Sequence, residues 1–296
     1  MKAGRALFMA RIILLSLSVI SCSNENTSDK KQTDNKSPQP QIKEESVSYT
    51  SDNLTSKGYV VYDENKRGKR AGVIVVHEWW GAGDYERKRA RQLAEMGYIA
   101  LVADMYGNGK TAATPQEAAA LVNSFDNNLQ RSKGGLDAAL KKLKGYSETD
   151  TANIAAIGYC FGGGVVLNAA KLGADLKGVV SFHGSLSGVP VKKELLIAKV
   201  LVCHGDADKF ISLRDIAAFK KGMDSIGADY TFKTYDNATH AFTNPGSTEA
   251  GKKFHMPIEY NAAADSASWN DMKVFLGEYS LTFKTEAFNP GSLIAR

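Results

Sequence analysis

Cysteine is scarce in this chain. Three occur among 296 residues, at positions 22, 160 and 203. No Cys-x-x-Cys pair and no His-Glu-x-x-His run appears, so no metal-ligand spacing is present and no metal is expected. Long apolar runs are missing as well. The stretch from Ile12 to Ile20 is too short for a comfortable bilayer span. Blocks of like charge are also absent. The formal net charge is +5, but Lys and Arg are interleaved with Asp and Glu, which argues against a nucleic-acid partner. No internal period of roughly 20–50 residues is visible, which excludes a repeat array. The length suffices for one large α/β domain or two small ones.

The N-terminus carries Lys2, Arg5 and Arg11 with no acidic residue, ahead of the Ile12–Ile20 run. This pattern predicts a signal peptide over residues 1–21, with Met9 as an alternative start. The run ends in Val19-Ile20-Ser21-Cys22, which resembles a bacterial lipobox with Val19 where Leu is preferred. Lipidation of Cys22 is expected, and with it an exported protein anchored to the cell envelope, on its periplasmic or surface side. Plain secretion without lipid is the alternative. Residues 22–45 are polar, with Pro38 and Pro40, and predict a disordered tether. The folded domain is expected over 46–285, with a tail over 286–296.

Along that domain, short β-branched apolar runs alternate with amphipathic stretches. Strands are expected at 58–62 (at the sheet edge), 72–77, 98–103, 153–157, 178–182, 199–203 and 230–235. Helices are expected at 84–96, from Pro115 with Thr114 as N-cap, at 129–143, after the Gly-rich turn at 158–163, at 213–226 and at 259–279. Continuous runs such as Gly72-Val73-Ile74-Val75-Val76 read as strands buried on both faces. The alternation predicts one α/β domain, with a mostly parallel sheet and helices on both faces.

The organising stretch is Gly158-Tyr159-Cys160-Phe161-Gly162-Gly163, set between a strand run and a helical run. Gly-x-Cys-x-Gly stands where an α/β-hydrolase places its nucleophile elbow, with Cys for the usual Ser. A phosphate cradle is excluded because no Lys-Ser/Thr follows. A buried structural cysteine is the other reading. Function in parallel α/β sheets gathers at the C-terminal ends of strands. Those exits carry His77-Glu78-Trp79-Trp80, Asp104-Met105-Tyr106, Cys160, His183, His204-Gly205-Asp206-Ala207-Asp208 and His240-Ala241-Phe242.

Cys160, Asp208 and His240 follow the chain order of an α/β-hydrolase triad: nucleophile, acid, base. Asp208 is preferred to Asp206, which sits in the turn. His77 and His204 read as structural. The expected oxyanion hole is the backbone N–H of Phe161 and of Trp79. Trp80, Tyr106, His183 and Phe242 are expected to line the substrate pocket. Cys203 lies in an apolar run and reads as a core residue, with no Cys160–Cys203 disulfide expected.

These segments together resemble the dienelactone hydrolase family over about residues 59–279. The resemblance implies hydrolysis of an ester or lactone through a thioester on Cys160, without cofactor. It also implies that Glu78 interacts with the resting thiol and modulates it. Family members studied in detail grip a substrate carboxylate with arginines, after the Asp-x-Tyr turn and just after the catalytic histidine. Neither Asp104–Lys110 nor His240–Pro245 holds an Arg, and Lys110 lacks the planar fork. Small neutral esters or lactones are therefore the expected substrates, and a monomer is expected. An acyltransferase using the same thioester, and a non-catalytic surface binding module, remain the alternatives.

Overall fold

In β3, alternate residues feed two different cores. Ile74 and Val76 point into one apolar cluster and Val73 and Val75 into another, all four fully buried. That is what a continuous β-branched run in the middle of a parallel sheet produces. A computed structural model describes residues 39–51, 54–126 and 128–278. The expected signal peptide, Cys22, the tether up to residue 38 and the tail lie outside the described residues.

The order of elements is β1 (Ile42–Ser51), β2 (Leu54–Asp63), β3 (Arg70–Val76), α1 (Asp84–Glu95), β4 (Ile99–Ala103), α2 (Pro115–Asp126), α3 (Leu129–Lys144), β5 (Thr149–Tyr159), α4 (Phe161–Lys171), β6 (Gly178–Phe182), β7 (Lys199–Gly205), α5 (Leu213–Ser225), β8 (Tyr230–Tyr235), α6 (Ser247–Phe254) and α7 (Ala262–Gly277). Among the described residues the eight strands form one sheet in the order β1-β2-β4-β3-β5-β6-β7-β8. β1, β2 and β4 pair antiparallel in sequence, and the rest of the sheet is parallel. On one face, Leu136, Leu140 and Leu143 of α3 and Val165, Val166 and Ala169 of α4 cover the sheet. On the other, Ala90, Leu93 and Ala94 of α1 and Met272 and Leu276 of α7 do so.

Four expectations need correction. β1 begins at Ile42, inside the segment assigned to the tether, and pairs along its length with β2. Its buried and exposed residues alternate with many polar side chains, so it lacked the apolar run that marked the other strands. β1 rather than β2 is consequently the edge strand. Helix α6 was not expected at all, because eight residues carry barely two turns of periodicity. The last helix starts at Ala262, not Glu259, where the Asn261 side chain caps it by accepting the Ala264 N–H.

The elbow is where local sequence matters most. A Cβ on Gly158 would sit 2.1 Å from the Gly162 carbonyl oxygen, and one on Gly162 would sit 2.4 Å from that of Val76. Strand β5, helix α4 and the end of β3 can therefore meet only without side chains at these positions. Cys160, between them, is held at φ 53°, ψ −114°. Its N–H donates to the Phe182 carbonyl at 3.0 Å and to His183 Nδ1 at 3.1 Å, which fixes the strained turn. We predict that Gly162→Ala lowers Tm sharply or prevents folding. Gly164→Ala, where a Cβ meets nothing closer than 3.4 Å, should leave Tm unchanged or raise it. Thermal unfolding of the two variants checks this, and equal Tm values would refute the close-approach argument.

Candidate active site

Three loops at the C-terminal edge of the sheet bring one thiol, one imidazole and one carboxylate together. Cys160 stands between β5 and α4, at the tip of the helix. Asp208 follows β7 and His240 follows β8. His240 Nε2 lies 3.1 Å from Cys160 Sγ, and His240 Nδ1 lies 2.8 Å from Asp208 Oδ2. The other oxygen of Asp208 accepts the Phe210 N–H at 2.8 Å, so both carboxylate oxygens are engaged in a buried position. Asp206, by contrast, is exposed.

The electrostatics of this row follow from its burial. Burial by itself would lower the basicity of His240. The negative charge of Cys160 and the hydrogen bonds to Asp208 and Cys160 outweigh it and raise the pKa to about 10. The imidazole thus holds a proton at neutral pH, shared between Cys160 Sγ on one side and Asp208 on the other.

Glu78 is almost wholly buried beside the cavity. Burial first, then the charge of Glu86, push its pKa up to about 8, despite the opposing Asn244 bond and the His240 charge. Glu86 takes the backbone N–H groups of Glu78 and Gly83, at 3.1 and 2.9 Å. Glu78 Oε2 accepts from Asn244 Nδ2 at 2.6 Å. The thiol pairs with His240 here, while the Glu78 carboxyl pairs with Asn244.

Phe161 is the first residue of α4, so its N–H has no acceptor inside the helix. Trp79 occupies the loop after β3, and its carbonyl accepts the Tyr106 hydroxyl at 2.9 Å. His77 and His204 are buried. His77 donates through Nδ1 to the Glu78 carbonyl, at 2.5 Å, and accepts the Met105 N–H on Nε2, at 3.2 Å. Burial drives its pKa to about 4, which keeps it neutral in this bracing role. Cys160 and Cys203 are both free thiols. Cys203 is buried and accepts the Tyr235 hydroxyl at 3.4 Å.

A cavity of about 600 Å³ opens in front of Cys160. Its walls are mainly apolar and include Trp79, Trp80, Phe161, Phe210, Ile211 and Met256. Lys110 is not among its lining residues, nor is any other Lys or Arg. Trp80 lines it as expected, but three other residues expected there do not. Tyr106 is buried against His77, Phe125 and Phe161. Phe242 is fully buried against Tyr235 and His183. His183 lies beneath the elbow, with Nε2 donating to Thr243 Oγ1 at 2.8 Å. A strand exit exposes one side chain to the cavity and sends the next below it, so aromatic type alone does not tell the two apart. The residues that the sequence did not point to come from α6 and its flanks (Asn244, Ser247, Met256, Ile258) and from α2 and α3 (Val122, Leu129). Asn244 had one available signal, its place four residues after His240.

A mostly parallel sheet with a nucleophile elbow at its centre defines an α/β-hydrolase. The profile of the dienelactone hydrolase family matches residues 56–280, and the chain belongs to that family of ester and lactone hydrolases. It is similar to the dienelactone hydrolase-like promiscuous phosphotriesterase from metagenomic libraries, with TM-score 0.76 and 30% identity over 81% of this chain and 99% of that one. An uncharacterized Caenorhabditis elegans protein is 36% identical over 151 residues, 49% of this chain and 92% of that protein. The Aquifex pyrophilus protein usf is 24% identical over 238 residues, 79% of this chain and 97% of that protein.

If charge on Sγ is what holds the His240 proton, removing the sulfur must release it. NMR titration should show His240 protonated up to a pH near 10 in the native chain. In Cys160→Ala its pKa should fall toward the ordinary imidazole value of about 6.5. An unchanged titration in that variant would refute the coupling.

Proposed function

We propose that this chain hydrolyses small neutral esters and lactones through a thioester acyl-enzyme on Cys160. The observation that carries the reading is the continuous row from Cys160 Sγ to His240, at 3.1 Å, and on to Asp208, at 2.8 Å. Cys160 Sγ attacks the ester carbonyl carbon, and the carbonyl oxygen takes up negative charge. The N–H groups of Phe161 and Trp79 stabilise that charge. As the intermediate collapses, His240 passes its proton to the departing alcohol oxygen. It then removes a proton from water, which attacks the thioester and releases the acid. Asp208 fixes the ring so that Nε2 faces the sulfur.

The lining supports the neutral-substrate part of the reading. With no Lys or Arg on the wall, and the His240 proton already engaged with Cys160 Sγ, a substrate carboxylate would lose its hydration without a free ionic partner. A neutral phosphotriester also suits such a wall, and the similar metagenomic phosphotriesterase makes that a second reading. Slow turnover of a neutral phosphotriester that depends on Cys160 would support it. Export, with a lipid on Cys22 as membrane tether, is part of the proposal, and so is a monomeric state. Metabolic labelling with a palmitate analogue, compared with Cys22→Ala, tests the lipid.

Two kinetic outcomes are expected. Cys160→Ala should lower kcat/KM on neutral esters by roughly 10³-fold or more. Neutral esters should also outrun their carboxylated counterparts, and comparable kcat/KM for the two would contradict the reading. Product analysis with added alcohols separates hydrolysis from acyl transfer.

The pH profile carries a further expectation. Glu78 is neutral below about pH 8 and charged above it. A negative charge beside the forming oxyanion opposes attack, so kcat/KM should fall as pH rises through about 8. Glu78→Gln should remove that limb and leave the later fall near pH 10, where His240 loses its proton. A profile that is the same in both proteins would refute the role given to Glu78.

A further inference from the structure

Buried polar atoms in folded proteins almost always have a hydrogen-bond partner, so those that do not call for an explanation. Among the described residues, five buried side-chain polar atoms have none: Arg70 Nε, Glu78 Oε1, Tyr159 Oη, Ser181 Oγ and Ser247 Oγ. Only two of these residues, Glu78 and Ser247, line the cavity in front of Cys160, and each is 3% exposed. Asn244 links them. Its Nδ2 donates to Glu78 Oε2 at 2.6 Å, and its backbone carbonyl accepts the Ser247 N–H at 2.9 Å. Asn244 Oδ1 is itself taken by the Gly246 N–H at 2.9 Å. The remaining walls on this side, Trp80, Ala250, Met256 and Ile258, offer no polar side chain beyond the Trp80 indole N–H. Serines and an asparagine also line the cavity elsewhere (Ser132, Asn168, Ser185, Ser187), but among the described lining residues the unspent buried side-chain groups are those of Glu78 and Ser247, in this corner.

We infer that the corner formed by Glu78, Asn244 and Ser247 is a substrate subsite for an uncharged hydroxyl carried beside the scissile ester. The inference rests on the ester-hydrolase reading and narrows it to hydroxylated neutral esters. A hydroxyl both donates and accepts, and it can therefore serve a carboxyl oxygen and a serine hydroxyl together. A carboxylate finds no Lys or Arg there. An ammonium would need an ionised carboxylate, whereas Glu78 remains neutral at pH 7. Substrate hydroxyls are also read sharply by sites of this kind, because a substrate without the hydroxyl leaves the buried groups unpaired.

The test compares propyl butyrate with propyl β-hydroxybutyrate, which puts the hydroxyl on the acyl side, and with glycerol monobutyrate, which puts it on the alcohol side. The β-amino analogue of the acyl-side ester supplies the cation control. The native chain should favour at least one hydroxylated ester over propyl butyrate by about fivefold to tenfold in kcat/KM. In Ser247→Ala that ratio should collapse toward one. No preference in the native chain, a ratio unchanged in Ser247→Ala, or a preference for the amino ester would each overturn the subsite. Should the native chain hydrolyse none of these esters, the hydrolase reading itself fails. The subsite is then read separately, by NMR titration of the Cys160→Ala chain with glycerol monobutyrate and propyl butyrate. Tighter binding of the hydroxylated ester, lost in Cys160→Ala/Ser247→Ala, keeps it; equal binding overturns it.

Discussion

The close approach of β5, α4 and the end of β3 is the constraint on which the rest depends. Gly158 and Gly162 let backbone meet backbone, and the residue between them has only a strained conformation open to it. Cys160 accepts that strain because its N–H is held from two sides, by Phe182 and by His183. The result is a thiol projecting from the tip of a helix into a cavity instead of into the core. Strain of this kind costs on the order of 1–3 kcal/mol, and the surrounding sheet, buried on both faces, supplies the stability that offsets it.

The same packing also joins Cys160 to the loop that carries His240. His183 lies under Cys160 and donates to Thr243, three residues beyond His240. Tyr85 donates to the same Thr243 hydroxyl at 2.7 Å, and Arg89 donates to the Thr243 carbonyl at 2.9 Å while pairing with Asp265. A buried polar chain therefore runs from the elbow through the histidine loop to helices α1 and α7. Each member is satisfied by the next, which is the condition under which buried polar groups stiffen a structure instead of weakening it.

The parallel strands were legible in the sequence because burial on both faces leaves an unbroken β-branched run, as in β3 and β4. The meeting of Cys160, His240 and Asp208 was legible because the three residues stand at strand exits in a recognisable order. β1 was hidden because an edge strand with one solvated face is rich in polar residues, and in sequence it reads like the tether before it. The pocket was the least legible part. Its floor is marked by strand exits, but α6 and the ends of α2 and α3 build its far wall, and their side chains meet only in three dimensions. Tyr106, His183 and Phe242 share the residue types of a pocket lining, yet packing turns them beneath it. Ser247 and Asn244 carry no motif of their own, and only the absence of a partner for the serine hydroxyl draws attention to that corner.

The central claim is that the sulfur of Cys160 takes the acyl group. Brief reaction with an activated acetate ester, followed by acid quench and peptide mass spectrometry, tests it directly. The account predicts an acetyl group on the peptide containing Cys160, released by hydroxylamine and absent from Cys160→Ala. Steady turnover of the ester with no acyl group on that peptide, or turnover undiminished in Cys160→Ala, would contradict it.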